Sequence, residues 1–127
     1  MKPVVFDDIN GVLLPFGYYL HTGHTWVKIE DKNTVRIGID DFALRLLGKF
    51  DDIKTPLMGK EIFQDKTAIT VLRNGNKASF TSPVGGVVTE VNSTLRKNPG
   101  LINDDPYADG WIFSLYCPNL KNDLKKL

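Results

Sequence analysis

The chain has 127 residues, a length that suits one compact domain and is too short for two ordinary ones. Apolar residues make up 42% of it, and 16 lysines and arginines against 15 aspartates and glutamates leave a formal net charge of +1. This balance lacks the basic excess typical of nucleic-acid binders, and no apolar run approaches the roughly 20 residues that cross a bilayer. The single Cys117 excludes an internal disulfide and a cysteine-based zinc site. We therefore expect a cytoplasmic protein without nucleic-acid or membrane partners.

The first residues differ from a secretory signal. Asp7 and Asp8 interrupt the apolar stretch that such a signal needs after its basic start. We expect residues 1–17 to form an N-terminal extension packed on a single domain that spans residues 18–127.

Two alternating runs follow, at residues 26–30 and 34–39, with a polar break at residues 31–33. Alternation of apolar and polar side chains around a short break predicts a β-hairpin. A short helix is predicted next, at residues 42–47, because Asp40 is a favourable N-cap and Gly48 stands where a helix commonly ends. The residues expected on its packed face are Ala43, Leu46 and Leu47.

A second hairpin is predicted by Asn74 and Gly75, which separate a run that begins near residue 66 from one that follows at residue 76. Asn-Gly is the strongest short hairpin signal, because both central residues of a type I′ turn need positive φ. The pairs expected from a two-residue turn are Arg73–Asn76, Leu72–Lys77, Val71–Ala78 and Ile69–Phe80. Apolar residues then meet on one face, as cross-strand packing requires.

The rest of the chain continues in short pieces. A strand at residues 87–91, turn-rich residues 98–106 and a final strand at residues 111–115 precede a tail with leucines at helical spacing, which predicts a short docking helix. Trp26 and Trp111 are expected in the core. Many short strands with few helices indicate a mostly β domain, a small barrel or sandwich.

Signals of enzyme chemistry are weak. His21 and His24 lie three residues apart, and a metal site needs three or more convergent ligands, which Asp7 and Asp8 would have to supply. A small enzyme or ligand-binding site at these residues is one hypothesis, and ordinary packing or surface histidines are the alternative. Cys117 has no base in sequence that would mark it as a nucleophile.

Three segments resemble the glycine cleavage H-protein family, in the order and at the spacing that the family shows. They are His24-Thr25-Trp26-Val27 with residues 35–43 and Leu47-Gly48; Ser82-Pro83-Val84-Gly85-Gly86 with residues 87–92; and residues 98–107 with Gly110-Trp111. Thr25 stands where the family has glutamate. The resemblance covers the chain from about residue 18 to its end.

The resemblance implies a fold, a flattened β-barrel or sandwich of the lipoyl-domain type (a barrel-sandwich hybrid) with short flanking helices. It also implies a carrier rather than an enzyme. The family holds lipoate in amide linkage on a lysine at the tip of a β-hairpin. The loaded arm visits a decarboxylase, an aminomethyltransferase and dihydrolipoamide dehydrogenase, so the implied partners are proteins.

The chain departs from the family at the attachment lysine. The family places that lysine eight residues before the proline of Ser-Pro-Val, and eight residues before Pro83 is Gly75. The hairpin tip reads Asn74-Gly75, and the acidic residues that flank the family's lysine fall on Leu72 and Ser79. A glycine has no side chain to carry lipoate.

Besides the histidine site, the resemblance leaves two functions open. The first is an H-protein-like module without cofactor, which acts by protein–protein docking. The second is a genuine carrier, which holds lipoate on Lys77 and shuttles an aminomethyl group in glycine cleavage. In the predicted register Lys77 lies opposite Leu72, off the tip, where a solvated strand lysine is the more common role.

Overall fold

The computed structural model of this chain describes residues 18–127. The predicted extension at residues 1–17, with Asp7 and Asp8, lies outside the described residues.

The described part contains nine strands and four short helices. The strands are β1 (Tyr18–Leu20), β2 (Thr25–Ile29), β3 (Thr34–Ile39), β4 (Asp52–Lys54), β5 (Glu61–Ile62), β6 (Thr67–Arg73), β7 (Asn76–Thr81), β8 (Gly86–Val91) and β9 (Phe113–Tyr116). The helices are α1 (Asp41–Leu47), α2 (Thr94–Lys97), α3 (Leu101–Asp104) and α4 (Leu120–Lys125). None of these helices is both long enough and apolar enough to span a bilayer.

The strands form two antiparallel sheets that do not close on each other. One has six strands in the order β1-β2-β3-β9-β8-β5, and the other has three in the order β4-β6-β7. The predicted mostly β, lipoyl-type sandwich with short flanking helices is confirmed. The first predicted hairpin is confirmed too, because Val27 pairs with Ile37 across β2 and β3.

The main apolar cluster draws residues from both sheets. Trp26, the largest fully buried side chain, packs in a separate aromatic group with Tyr18 and Tyr107. The indole Nε1 donates to the carbonyls of Ile39 and Pro106, each at 3.1 Å. The ring also covers Gly38, where an added Cβ would lie 2.3 Å from the indole. Trp26 is therefore a core residue, as predicted, and its backbone contact requires a glycine on the neighbouring strand.

Helix α1 has the predicted N-cap and C-terminal end, and it begins at Asp41, one residue before the predicted start. The Asp40 carboxylate accepts a hydrogen bond from the Ala43 N–H at 2.9 Å, and Gly48 adopts φ 78° at the C-terminal end. The predicted packed face was wrong in part, since Ala43 and Leu44 are buried and Leu46 is exposed. Helical spacing allows either Leu44 or Leu46 to share a face with Ala43 and Leu47. In the structure α1 contacts α3, and Leu44 joins the apolar cluster.

Two further predictions near the end of the chain need correction. Trp111 is half-buried rather than in the core, and the Arg36 guanidinium lies 4.4 Å from its ring centroid. The turn-rich residues 98–106 contain α3, and α2 precedes them. Each of these helices is a single turn of four residues, too short for helical periodicity to show in sequence. The predicted C-terminal helix is α4, which buries Leu120.

Candidate functional site

The hairpin of β6 and β7 is the candidate site, and its register is the predicted one. The observed pairs include Arg73–Asn76, Leu72–Lys77, Val71–Ala78 and Ile69–Phe80, with a bulge between Thr67 and Ile69. Ile69, Val71 and Phe80 are buried in the core. Burial of one face fixes the register, because a slip of one residue would turn these side chains to solvent.

Asn74 and Gly75 form the turn. Their φ angles are 51° and 81°, the left-handed pair that a type I′ turn needs. Nothing lies within 4 Å of a Cβ built on Gly75, so the turn projects into open space. A lipoyl amide requires a primary amine, and neither turn residue carries one.

Contacts from the chain segment after α1 hold the hairpin from the side. The Asp51 carboxylate accepts the Asn74 N–H at 2.6 Å, and the Asp51 N–H donates to the Leu72 carbonyl at 2.7 Å. The Arg73 Nη1 donates to the Leu47 carbonyl at 2.5 Å. These contacts, called the Asp51 clamp, were not predicted from the sequence. The only sequence signal for these contacts was the adjacent pair of aspartates at residues 51 and 52. This pair does not indicate a contact with the turn unless β4 is known to pair with β6.

Lys77 lies two residues after Gly75, within the β6–β7 ladder and opposite Leu72. Its side chain is exposed and forms none of the ion pairs found in residues 18–127. It lines a pocket of about 320 Å³ together with Leu47, Phe50 and Arg73. The amine is therefore free, but it leaves the hairpin from the side of a strand and not from the turn.

The three positions where acidic residues were expected from the family pattern carry no carboxylate and serve other contacts. Leu72 is half-buried. The Ser79 hydroxyl lies 3.4 Å from that of Thr70. Thr25 is fully buried, and its hydroxyl donates to the Thr81 carbonyl at 3.1 Å.

The two histidines have separate carboxylate partners. His21 Nε2 lies 2.6 Å from an Asp65 oxygen while its Nδ1 accepts the Gly23 N–H at 2.9 Å, so the proton resides on Nε2. His24 Nδ1 lies 3.0 Å from Asp40, the N-cap of α1. Residues 18–127 contain no cluster of three metal-ligating side chains. Each histidine therefore pairs with a carboxylate of its own, and the other ligands of the predicted site, Asp7 and Asp8, lie outside the described residues.

Cys117 is buried, and its burial raises the pKa of the thiol to about 12, with the nearby negative charge of Asp123 acting in the same direction. A thiol with this pKa is almost entirely protonated at neutral pH and is a poor nucleophile. The structure places Cys117 as a packing residue.

Two antiparallel sheets and a projecting hairpin with a two-residue turn define a lipoyl-domain-like barrel-sandwich. The chain belongs to the glycine cleavage H-protein family, whose profile, described as Glycine cleavage H-protein, matches residues 18–127. Members of this family are lipoyl carriers and not catalytic enzymes, and they interact with the other components of glycine cleavage.

Individual proteins agree with this assignment. The glycine cleavage system H protein of Coprothermobacter proteolyticus is 42% identical over 89 residues, which cover 70% of each chain. That of Alkalilimnicola ehrlichii is 39% identical over 105 residues, 82% of this chain and 79% of the relative. The crystal structure of a glycine cleavage system H protein from Mycobacterium marinum superposes with a TM-score of 0.76 at 24% identity, over 83% of this chain and 87% of that one. At that identity the match bears on the fold.

Proposed function

We propose that this protein is an H-protein-like module that carries no lipoyl group and acts by docking to other proteins. The observation that carries the proposal is the turn of the β6–β7 hairpin, which consists of Asn74 and Gly75. By its spacing from Pro83, Gly75 takes the place of the family's lipoyl-lysine. A bare glycine there removes the attachment point and leaves the scaffold around it in place.

The surroundings of the turn support the same reading. A lipoyl ligase acts on a lysine presented at a tip between acidic neighbours, and here the neighbouring positions are Leu72 and Ser79. The carboxylate that does approach the turn, from Asp51, is engaged by the Asn74 N–H. We infer that nothing at this tip attracts or accepts the cofactor.

The proposed partners are proteins that handle lipoylated carriers, such as the decarboxylase, the aminomethyltransferase and dihydrolipoamide dehydrogenase. A module that has the family's fold but lacks the lipoyl arm would present a docking surface to these enzymes without delivering a substrate. We propose a cytoplasmic location and a single domain at residues 18–127, with residues 1–17 as an extension packed on it.

The alternative function is that of a genuine carrier, lipoylated at Lys77 and shuttling an aminomethyl group. The observation that favours it is the exposed Lys77 amine, which has no ion-pair partner among the described residues. The names of the relatives fit it as well. Its difficulty is position, since Lys77 is anchored in the ladder opposite Leu72.

Intact-mass measurement separates the two functions. The protein is produced in bacteria beside a lipoyl ligase with lipoate supplied, and an H protein with its tip lysine is produced in parallel as the positive control. We expect the control to gain the mass of one lipoyl group and this protein to gain none. A gain that disappears in the Lys77→Arg variant would establish the alternative.

A further inference from the structure

A second feature of the surface lies between β4 and β5, where two long apolar side chains are exposed to solvent. Leu57 is 70% exposed and Met58 is 68% exposed. They occupy a tight turn, residues 57–60, which is closed by a hydrogen bond of 3.1 Å from the Lys60 N–H to the Leu57 carbonyl. We call this segment the apolar turn. Contiguous exposed apolar surface is a feature of interaction sites, whereas apolar residues exposed singly are common.

The apolar turn is fixed to the six-stranded sheet. Gly59 adopts φ 85°, and its N–H donates to the Val88 carbonyl at 2.8 Å. The Val88 N–H donates in return to the Lys60 carbonyl at 2.9 Å. Because the backbone is already ordered, binding through Leu57 and Met58 loses little conformational entropy.

A hollow adjoins the apolar turn. Its volume is about 360 Å³, and its walls come from both sheets, with Lys54 of β4, Ile62 of β5 and Ala68 of β6 among them. Phe63, which is 58% exposed, forms part of the rim. The surface therefore combines a projecting apolar turn with a recess beside it. A folded partner protein can be complementary in shape to such a surface.

The charges around the hollow are mostly positive. Lys54, Lys60 and Lys66 line it, with Glu61 as the acidic residue among the lining side chains. None of the three lysines forms an ion pair with another residue of the described chain. Unpaired cations beside an apolar turn match a partner that has carboxylates beside an apolar recess, and such complementarity favours association and selects partners.

We propose that the apolar turn and its hollow dock a partner protein whose surface presents an apolar recess rimmed by carboxylates. This rests on the proposed docking function and assigns it a surface apart from the hairpin. A lipid bilayer would accept Leu57 and Met58 and the lysines, but its headgroup surface does not fill a hollow bounded by two sheet edges. The shape of this surface thus favours a protein over a bilayer as the partner.

The test measures binding to the purified decarboxylase, aminomethyltransferase and dihydrolipoamide dehydrogenase of the same organism by biolayer interferometry. The test variant is Leu57→Ser with Met58→Ser. The matched control is Leu46→Ser, because Leu46 is 76% exposed on α1 and equally free to change. We expect at least tenfold weaker binding of one enzyme by the double variant and unchanged binding by the control. Replacing Lys54, Lys60 and Lys66 by glutamine should flatten the salt dependence of binding.

The outcomes separate the two proposals. Binding that survives in the Leu57→Ser, Met58→Ser variant overturns the assigned surface and leaves the docking function standing. Absence of binding to all three enzymes overturns both. Flotation with vesicles of phosphatidylcholine and phosphatidylglycerol, or self-association in sedimentation, that is lost in the double variant would identify a membrane or a second copy as the occupant and overturn the protein partner.

Discussion

Replacing Gly75 by lysine tests whether one residue accounts for the missing attachment point. The structure sets the cost of the change. A Cβ at Gly75 meets nothing within 4 Å, so no clash opposes the substitution, but the φ of 81° is unfavourable for a side chain. A left-handed backbone costs an ordinary residue about 1–2 kcal/mol. Since domains have typically about 5–15 kcal/mol of stability, the variant should remain folded.

We expect urea unfolding of Gly75→Lys to show a loss of about 1–2 kcal/mol. Gly75→Asn is the matched control and should lose less, because asparagine tolerates positive φ. Produced beside a lipoyl ligase, Gly75→Lys should gain one lipoyl group by intact mass, and addition of Leu72→Glu and Ser79→Asp should increase the modified fraction. A folded triple variant that stays unmodified would refute the reasoning, as would a stability loss above about 4 kcal/mol, which would show that the turn is packed.

Three further predictions concern Gly38, Tyr107 and Cys117. Gly38→Ala should lower the free energy of unfolding by about 2–3 kcal/mol in urea titrations, because its Cβ would lie 2.3 Å from the hydrogen-bonded Trp26 indole; an unchanged midpoint would contradict this packing. Burial raises the pKa of Tyr107 above its ordinary value of 10, so the contribution of this residue to stability should be constant below about pH 10 and fall as the pH rises further, which urea unfolding at a series of pH values would measure. Tyr107→Phe should lower the free energy of unfolding by about 1 kcal/mol at neutral pH, because the hydroxyl that accepts the Asp41 N–H is removed. Its stability should also fall less steeply at alkaline pH. Cys117, with a pKa of about 12, should resist iodoacetamide at about pH 8 until the chain unfolds, and rapid labelling of the folded protein would contradict its burial.

The hairpin could be predicted in detail because two independent signals agreed on it. The Asn74-Gly75 dipeptide fixed the turn type, and the apolar pairs Val71–Ala78 and Ile69–Phe80 fixed the register. The Asp40 cap and the Gly48 end of α1 were also readable, since both are local backbone devices.

Features that depend on tertiary packing could not be read from the sequence. The Asp51 clamp on the turn requires the pairing of β4 with β6, and β4 has three residues, too few for alternation to show. The exposure of Leu46 depends on how the two-turn helix α1 packs against α3 and the apolar cluster. The apolar turn at residues 57–60 was likewise not predicted, because exposure of Leu57 is a property of the fold and not of its neighbours in sequence.

The most direct test of the central claim is the intact mass of this protein purified from its own cells, grown with lipoate available. An unlipoylated hairpin predicts that no fraction carries the mass of a lipoyl group, while peptide mapping recovers the peptide with Gly75 and Lys77 unmodified. A population heavier by one lipoyl group, with the addition mapped to Lys77, would contradict the account and identify a working carrier.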